Sequence, residues 1–506
     1  MLSTILSATT VGIDGVLIRV EVDVAERGFP TFTIVGLPDK AVEESKERVR
    51  TSIKNSSFDM PETKITINLA PADIPKEGSL FDLPIAVGIL ASAKIINQRH
   101  LSNSLFIGEL SLEGKIRPVA GVLPVTILAK EKKIKNIFVA KENAKEAALI
   151  GGVDIYSAES LTDLILHLNE EIFLTKQPKT VFKKKLEKND YEFDFCDIKG
   201  QEQAKRALEI AAAGFHNVHL RGPPGAGKTM LTRALPSILP KMDDEEIIEV
   251  SKIYSISQFL MGSSFVTKRP FRSPHHTTSR VGLIGGGTKI SPGEISLAHR
   301  GVLFLDELPE FPRSVLEALR QPLEDGVVTI SRARGSLIFP ARFLFVGASN
   351  PCPCGFLGHP KKACRCSLAQ IMNYKKRISG PLMDRIDIHV DVPPVEEEKL
   401  TTRFVCELSV VIRERVIEAR ERQKKRLKNE AVKTNGEMTS SQVRQICKLT
   451  DEANSLLKQA ISRLSLSARS YFKIIKIAQT ITDLSQKETI EAPFIAEALQ
   501  YRVKEE

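Results

Sequence analysis

Short stretches in the first third of the chain alternate apolar and polar residues or run apolar throughout, a pattern typical of β-strands. Longer stretches with helical spacing separate them. The predicted strands are Val16–Val24, Thr31–Val35, Lys64–Leu69, Ser104–Leu110 and Asn136–Val139. The predicted helices are Asp39–Ile53, Phe81–Ile95 and Val122–Lys132. Residues 1–170 are therefore predicted to form an α/β unit with mixed strands.

A basic stretch separates this unit from the next. Lysines crowd residues 171–192, which show little apolar periodicity and are predicted to be a linker. Residues 193–394 again alternate apolar runs with helical patterns, and residues 395–506 show helical patterns alone. The helices predicted there are Leu400–Leu427, Gln442–Lys448, Glu452–Ser462, Ala468–Leu484 and Ala492–Tyr501. The fold class is thus a multidomain α/β protein that ends in an all-α domain.

A glycine-rich turn in the middle unit joins a predicted strand, Val218–Leu220, to a predicted helix, Met230–Leu239. The turn has the G-x-x-x-x-G-K-[ST] spacing in the strand–loop–helix context that it needs. Its backbone N–H groups would cradle phosphate oxygens, its lysine would reach the β- and γ-phosphates, and its hydroxyl would bind Mg²⁺. The predicted ATP-binding residues are Gly222, Pro223, Pro224, Gly225, Ala226, Gly227, Lys228, Thr229 and Met230.

Two later apolar runs end in polar residues that suit the same chemistry. The run Gly301–Leu305 is followed by Asp306, which is predicted to hold Mg²⁺, and by Glu307, which is predicted to polarise the attacking water. The run Ala341–Ser349 ends in Asn350, which is placed to orient that water. The sequence therefore predicts an ATPase with Mg²⁺ as its metal ion.

Composition sets broad limits on this interpretation. The chain has 506 residues, of which 42% are hydrophobic and 26% charged, as in ordinary globular proteins of several domains. We find no apolar run long enough to cross a bilayer, and the first residues, which include Asp14, lack the basic leader of a signal peptide. A cytoplasmic protein without membrane contact is therefore expected.

Basic residues are concentrated in the middle unit. The net charge is +10, and Val250–Gly293 and Gly326–Met383 contain no Asp or Glu. A solvated basic face is the usual reason for such runs, but two of them in one domain favour contact with a phosphate backbone. The candidates lie on a proline-broken basic segment of a long insertion, Arg269–Arg280, and on a predicted hairpin, Val327–Phe339. The predicted DNA-binding residues are Arg269, Arg272, His275, His276, Arg280, Arg332 and Arg334.

Four of the seven cysteines lie close together in the sequence. Cys352, Cys354, Cys364 and Cys366 form two C-x-C pairs, and four thiolates suit tetrahedral Zn²⁺. The alternative is four unliganded cysteines in a basic loop. Because the other three cysteines are scattered, the pattern favours a metal site over disulfides.

The first unit resembles the Lon-protease-like domain. The likeness rests on Ala70-Pro-Ala-Asp-Ile-Pro-Lys-Glu-Gly-Ser-Leu-Phe-Asp and on Gly108-Glu-Leu-Ser-Leu-Glu-Gly. At the positions where that family carries its catalytic serine and lysine, this chain has Leu80 and Leu123, and Ser79 lies one place early. The resemblance therefore implies a domain that is inactive as a protease and serves structure or oligomerisation.

The middle unit and the helices after it resemble the AAA+ ATPases. In Leu382-Met-Asp-Arg-Ile-Asp-Ile, family members carry the arginine that reaches a neighbour's nucleotide, and here it is Arg385. In Ser467-Ala-Arg-Ser-Tyr-Phe, the position of the lid arginine that senses the γ-phosphate is Arg469. The resemblance implies a ring in which hydrolysis depends on the neighbouring subunit.

Taken together, the domain order, the Arg-Ser-Pro-His-His-Thr insertion and the four-cysteine loop resemble the magnesium-chelatase-like proteins of the ComM/YifB group. This resemblance implies a homohexameric ATPase that acts on DNA. It also implies a branch-migration helicase that works beside recombination proteins and extends the pairing of incoming single-stranded DNA with the chromosome.

Two other functions stay open on the sequence alone. The first is a metal chelatase motor for porphyrins, although that motor lacks the Lon-like domain and the four-cysteine loop. The second is a protein-remodelling or regulatory ATPase. Polypeptide pore loops usually carry an aromatic residue, and Phe271 is the only one in the basic segment of the insertion.

Overall fold

The computed structural model describes residues 2–181, 191–257, 265–287, 290–332, 335–395, 406–464 and 466–503. Contacts divide the chain into two compact units. The first unit comprises Met1–Lys184 and Asp243–Thr267, and the second comprises Lys185–Met242 and Lys268–Glu506. No helix within the described ranges combines the length and apolar character that crossing a membrane requires.

A seven-stranded mixed sheet forms the centre of the first unit. The strands of this unit are β1 (Leu2–Val11), β2 (Asp14–Val24), β3 (Thr31–Val35), β4 (Lys64–Ala70), β5 (Ser104–Phe106), β6 (Glu109–Leu110), β7 (Ile116–Arg117), β8 (Asn136–Ala140) and β9 (Asp154–Ala158). The sheet order is β3-β4-β2-β1-β5-β8-β9, and only the β1–β2 and β2–β4 pairs are antiparallel. The strand predicted over 104–110 is divided, because the backbone of Gly108 bonds to Leu80 and Leu83 instead of to a neighbouring strand.

The helices of the first unit include one that is wholly buried. They are Lys40–Asn55, Asp82–Ser92, Val122–Glu131, Lys141–Ala147, Leu161–Leu168 and Asp244–Ile256, with a 3₁₀ turn at Gln98–His100. Every residue of Asp82–Ser92 is buried. The carboxylate of Asp82 accepts hydrogen bonds from Ser45 Oγ at 2.5 Å and Arg48 Nε at 2.7 Å. These partners compensate for the burial of its charge.

The two leucines at the Lon-type catalytic positions lie in apolar surroundings. Leu123 is fully buried, and Leu80 is half-buried and packs against the hydrophobic core. Ser79 donates its hydroxyl hydrogen to the carboxylate of Glu109. Neither leucine offers a nucleophile or a base, and the likeness of this unit to the Lon-protease fold stays a prediction.

A segment from the middle of the chain returns to the first unit. The helix Asp244–Ile256 begins with a capping box between Asp243 and Glu246. Ile248 of this helix and Phe265 pack on a small cluster that contains Leu123. This excursion accounts for part of the 77 positions that separate Thr229 from Asp306 in the sequence. The pattern of apolar and polar residues does not predict it.

A five-stranded sheet forms the core of the second unit. The strands of this unit are β10 (Val218–Arg221), β11 (Phe271–Arg272), β12 (Gly285–Gly286), β13 (Ser291–Pro292), β14 (Val302–Leu305), β15 (Val327–Arg332), β16 (Gly335–Pro340), β17 (Leu344–Ser349) and β18 (Ile388–Asp391). The order β11-β14-β17-β10-β18 is parallel at every pair. The predicted hairpin is β15–β16. All carboxyl ends of the sheet strands therefore lie at one edge, where α/β proteins bind ligands.

Helices cover this sheet and continue into a C-terminal helical region. The helices around the sheet are Glu202–Gly214, Lys228–Ala234, Arg280–Ile284, Glu294–Leu297, Arg313–Glu317, Arg320–Asp325, Leu368–Lys375 and Gly380–Met383. The C-terminal helices are Ser409–Arg426, Ser440–Ile446, Asp451–Leu464, Ala468–Leu484 and Ala492–Gln500. Short 3₁₀ turns lie at Phe195–Asp197, Leu235–Ser237, Leu308–Glu310 and Asn435–Glu437. The mixed α/β fold with a helical C-terminal region agrees with the sequence prediction.

Two helices of the second unit have other bounds than the sequence pattern predicts. The long C-terminal helix was expected from Leu400, but it begins at Ser409, and residues 396–405 lie outside the described ranges. The helix after the phosphate loop ends at Ala234 and tightens into a 3₁₀ turn, because Pro236 has no N–H to continue it. Cys196 and Cys406 form a disulfide across 210 positions, a pairing that spacing alone does not reveal.

Candidate nucleotide-binding site

The phosphate loop leaves β10 at the carboxyl edge of the sheet and leads into the helix Lys228–Ala234. Gly225 and Gly227 have φ values of +76° and +88°, in the left-handed region that favours glycine. A Cβ atom built on either glycine meets nothing within 4 Å, so no other group crowds the loop at these two positions. This geometry fits the phosphate cradle that the sequence predicts.

Lys228 lies beneath this loop with its side chain buried. Its ammonium group donates to the carbonyl oxygens of Gly222 at 2.6 Å and Pro223 at 2.9 Å, and to Asn350 Oδ1 at 3.1 Å. Burial lowers the pKa of Lys228, while the carboxylates of Asp306 and Glu307 raise it. None of the described carboxylates forms a direct ion pair with Lys228, so its positive charge stays available at the loop.

Thr229 and Asp306 form the contact that joins the two motifs. Thr229 Oγ1 donates to Asp306 Oδ2 at 2.7 Å, although the two residues lie on different elements. Both are oxygen donors of the type that Mg²⁺ prefers, and both retain access to solvent. The residues present therefore fit a magnesium-bound nucleotide.

Glu307 follows Asp306 in a left-handed backbone conformation with φ of +50°. Its backbone N–H donates to Asp306 Oδ1 at 2.9 Å, and its side chain is exposed. His276 Nδ1 lies 3.8 Å from Glu307 Oε2. The predicted water-activating carboxylate therefore contacts a histidine of the long insertion.

Asn350 follows β17 beside the phosphate loop, and Tyr374 packs near it. Burial raises the pKa of Tyr374 to about 12, and a hydrogen bond to the backbone of Asn350 acts in the opposite direction. Gln201 also supports the loop, since its Nε2 donates to the carbonyl oxygen of Ala226 at 3.3 Å. Tyr374 and Gln201 belong to no motif with fixed spacing, so the sequence pattern does not predict their place at the site.

Arg385 lies at the opposite edge of the sheet from the phosphate loop. It precedes β18, and its carbonyl oxygen accepts from Asn217 Nδ2, on the residue just before β10. A four-residue strand separates the two edges by about 13 Å. The guanidinium donates to the carboxylate of Glu324 and to the carbonyl oxygen of Pro381 at 2.7 Å.

Arg469 shares this partner. Its Nη1 lies 3.8 Å from Glu324 Oε1, and its side chain is 43% exposed. The structure therefore brings the two predicted arginines to one carboxylate, and it does not bring them to the phosphate loop of the same chain. Glu324 was missed in the sequence, because it belongs to no recognisable motif and lies 61 positions from Arg385.

The predicted DNA-binding residues fall into three groups. Arg269 donates to the carbonyl oxygens of Pro240 and Arg300, each at 2.6 Å. Arg272 makes two bonds to Glu294, at 2.6 Å and 2.7 Å. Arg280 and His275 are exposed, and Arg332 ends β15. Arg334 lies outside the described residues.

The four clustered cysteines lie in the loop that follows β17. Their sulfur atoms all lie within 4.8 Å of one another. The backbone N–H groups of Phe356 and Arg365 lower the pKa of Cys354 to about 6. The structure thus assembles the predicted set into one cluster of possible metal ligands.

Comparison with known protein families assigns most of the chain. Residues 194–400 match the family described as magnesium chelatase, subunit ChlI, and residues 406–502 match its C-terminal part. Residues 20–143 match a family described as subunit ChlI of Mg-chelatase.

Several individual proteins are similar over nearly the full length. The competence protein ComM of Haemophilus influenzae is 45% identical over 505 residues, which cover 99% of this chain and 97% of that protein. The uncharacterized protein YifB of Escherichia coli is 41% identical, with the same coverage. The magnesium-chelatase subunit ChlI of Euglena gracilis is 24% identical, over 42% of this chain and 62% of its own.

Proposed function

The chain belongs to the ComM/YifB group of magnesium-chelatase-like proteins, and we propose that it is an ATP-driven DNA motor. In this proposal it is a cytoplasmic, homohexameric branch-migration helicase that extends the pairing of incoming single-stranded DNA with the chromosome. Recombination proteins are its expected partners. The name of the Haemophilus relative, a competence protein, supports a place in natural transformation. The observation that carries the proposal is the contact between Thr229 and Asp306.

The residues at the carboxyl edge of the sheet have different roles in the proposed ATP hydrolysis. Magnesium-bound ATP would supply the phosphoryl group whose transfer to water drives the motor. Lys228 provides positive charge at the phosphates, and Thr229 and Asp306 provide oxygen atoms for the metal. Glu307 orients the attacking water, and Asn350 positions it from the neighbouring strand.

The position of Arg385 supports assembly into a ring. It lies at the amino edge of a parallel sheet, whereas the phosphate loop lies at the carboxyl edge. From that edge, the arginine would reach only the nucleotide of an adjacent subunit. Head-to-tail contacts of this kind, between different surfaces of the two subunits, can close into a ring. Arg469 belongs to the same surface through Glu324. Both arginines are therefore proposed to act on a neighbour's nucleotide.

Exposed basic residues support DNA as the substrate. Arg280 begins a short helix of the insertion with its side chain exposed, and Arg332 ends the first strand of the β15–β16 hairpin. A ring would repeat each of these groups once per subunit. Such charges bind phosphates without reading the bases, so affinity without marked sequence preference is expected.

The comparisons and the structure bear differently on the two alternatives. The chelatase subunit of Euglena covers 42% of this chain, whereas the competence protein covers 99%. Phe271, the aromatic residue of the basic segment, lies in β11 and packs against the hydrophobic core instead of projecting as a pore loop. The DNA motor is thus favoured over both alternatives.

A single ATPase assay with three substrates tests the proposal. Purified wild-type protein is mixed with forked DNA, with porphyrin and Mg²⁺, or with an unfolded polypeptide, and ATP turnover is measured in each mixture. We expect stimulation by DNA alone, together with ATP-dependent movement of a labelled branch point. The variant Lys228→Ala serves as the inactive control. Stimulation by porphyrin or polypeptide but not by DNA would replace the DNA-motor proposal with the corresponding alternative.

A further inference from the structure

The four-cysteine loop has the geometry of a metal site. Cys352 Sγ lies 3.4 Å from Cys354 Sγ and 3.6 Å from Cys364 Sγ, and the last two sulfurs are also 3.6 Å apart. Tetrahedral Zn²⁺ with four sulfur ligands at about 2.3 Å places the sulfurs about 3.8 Å apart. A disulfide would bring two of them to about 2.05 Å. The observed spacing therefore fits a shared metal ion.

The backbone of the loop supports the same interpretation. Cys352 is fully buried, and the N–H of Leu357 donates to its sulfur at 3.3 Å. The N–H of Gly355 donates to the carbonyl oxygen of Cys352 at 2.9 Å and closes a tight turn between the first two thiols. Such turns aim two sulfurs at one point, which a C-x-C pair needs in order to bind one ion.

This loop touches the nucleotide-binding site in two places. Asn350, which accepts a hydrogen bond from Lys228, lies two residues before Cys352. A Cβ atom built on Gly355 would lie 2.4 Å from Cδ of Pro224, a residue of the phosphate loop. Gly355 therefore packs directly on the Pro224 ring. Any rearrangement of the cysteine loop would move both contacts.

We propose that Cys352, Cys354, Cys364 and Cys366 bind one Zn²⁺, and that the metal-bound loop holds Pro224 and Asn350 in the positions that ATP binding requires. The second half of this inference rests on the proposed function, because it needs a nucleotide at the phosphate loop. The metal acts here as a structural support, with all four ligand positions filled by thiolates.

The first experiment measures zinc content and ATP affinity in the same samples. Full-length wild-type protein is purified without added metal and compared with Cys364→Ser/Cys366→Ser and with Cys447→Ser, a buried cysteine outside the cluster. We expect about one zinc per chain in wild type and in Cys447→Ser. The double variant should lose the zinc, and its affinity for a fluorescent ATP analogue should fall at least tenfold.

The second experiment separates the contact with Pro224 from the metal itself. Gly355→Ala adds a methyl group against Pro224, whereas Gly358→Ala adds one with nothing within 4 Å. The two glycines have similar φ values, +81° and +74°, so the backbone strain is matched. We expect both variants to retain zinc and only Gly355→Ala to lose ATP affinity.

The outcomes distinguish failure of this inference from failure of the proposed function. Wild-type protein without zinc, with four freely titratable thiols, would overturn the metal site. A zinc-free double variant or a Gly355→Ala protein that binds ATP like wild type would overturn the link to the nucleotide. Loss of ATP affinity in Gly358→Ala equal to that in Gly355→Ala would overturn the specific role of Pro224. If wild type holds zinc but binds no ATP, the proposed function fails and the metal site stands.

Discussion

The Nδ1 atom of His276 lies 3.8 Å from Oε2 of Glu307, the carboxylate proposed to activate water. The His276 ring is tilted by 37° against that of His275, which is exposed, and the two ring centroids lie 3.9 Å apart. The insertion that is proposed to contact DNA therefore reaches the proposed water-activating carboxylate through His276.

His276→Ala is expected to uncouple ATP hydrolysis from DNA. Without the imidazole, Glu307 loses a contact that restrains its orientation, whereas Lys228 and Thr229 are unchanged. ATP affinity should persist while stimulation by forked DNA falls about tenfold or more. Titration of ATPase activity with DNA measures the effect, and His275→Ala, which keeps the Glu307 contact, is the comparison. Equal DNA stimulation in His276→Ala and wild type would show that the contact has no coupling role.

Lys228 and Glu307 are expected to fail at different steps. Lys228→Ala removes the positive charge at the phosphates and should abolish ATP binding. Glu307→Gln keeps the shape of the site but removes the carboxylate, so ATP should bind while turnover falls by about 100-fold or more. Equilibrium binding and steady-state turnover on the same preparations separate the two effects. Wild-type turnover in Glu307→Gln would remove this residue from the mechanism.

The sequence predicted the carboxyl edge of the site well, and the physical reason is topological. Lys228, Asp306 and Asn350 each follow an apolar strand, and the carboxyl ends of parallel strands share one edge of a sheet. The structure accordingly joins Lys228 to Asn350 and Thr229 to Asp306. Strand order and loop spacing suffice to predict such contacts.

Contacts that depend on packing between distant elements could not be predicted from the sequence. The carboxylate of Glu324 pairs with both Arg385 and Arg469, yet nothing in its short helix marks it as a shared partner. The helix Asp244–Ile256 belongs to the first unit although the chain on either side of it belongs to the second. Helical periodicity shows that a face is apolar, but not which domain covers it.

Arg385 is expected to act on the nucleotide of a neighbouring subunit. Arg385→Ala alone should lack ATPase activity, and so should Lys228→Ala alone. Mixed rings should recover activity, because about a quarter of their interfaces combine an intact phosphate loop with an intact arginine. The ATPase activity of mixtures, with mixed-ring formation verified by differently tagged subunits, measures the recovery. No recovery in verified mixed rings would argue against action between subunits.

His219 is expected to make the fold sensitive to mild acid. It is buried on β10, with Nε2 2.9 Å from Ser349 Oγ, and burial together with the charge of Arg221 lowers its pKa to about 4. Between pH 6.5 and pH 4 the unfolded chain binds a proton at this residue and the folded chain does not. The free energy of unfolding therefore decreases as the pH is lowered through that window, by on the order of 3 kcal/mol.

His219→Gln tests this interpretation, because an amide can bond to Ser349 but does not titrate. Melting temperatures measured from pH 7.5 to pH 4.5 should decline less steeply in His219→Gln than in wild type. Parallel profiles for the two proteins would assign the acid sensitivity to other groups.

The last prediction concerns the DNA contact itself. Arg280 is exposed at the start of its helix, whereas Arg272 is occupied by two bonds to Glu294. Neutralising Arg280 should therefore remove phosphate contacts, and neutralising Arg272 should chiefly destabilise the fold by leaving Glu294 unpaired. Arg280→Ala should weaken DNA binding about tenfold and flatten its salt dependence, because each phosphate contact that is lost releases one fewer counterion. Basal ATPase activity should survive.

Affinity for forked, single-stranded and duplex DNA, measured across a salt series, tests this prediction. Arg27→Ala removes another exposed arginine, from the first unit, and controls for the change in net charge. Arg272→Gln controls for folding, and its melting temperature should fall while that of Arg280→Ala stays near wild type. If Arg280→Ala binds DNA with the wild-type salt slope, this arginine does not contact phosphate. If wild-type affinity itself is indifferent to salt, the DNA-motor proposal loses its electrostatic basis and the chelatase or remodelling function becomes the better account.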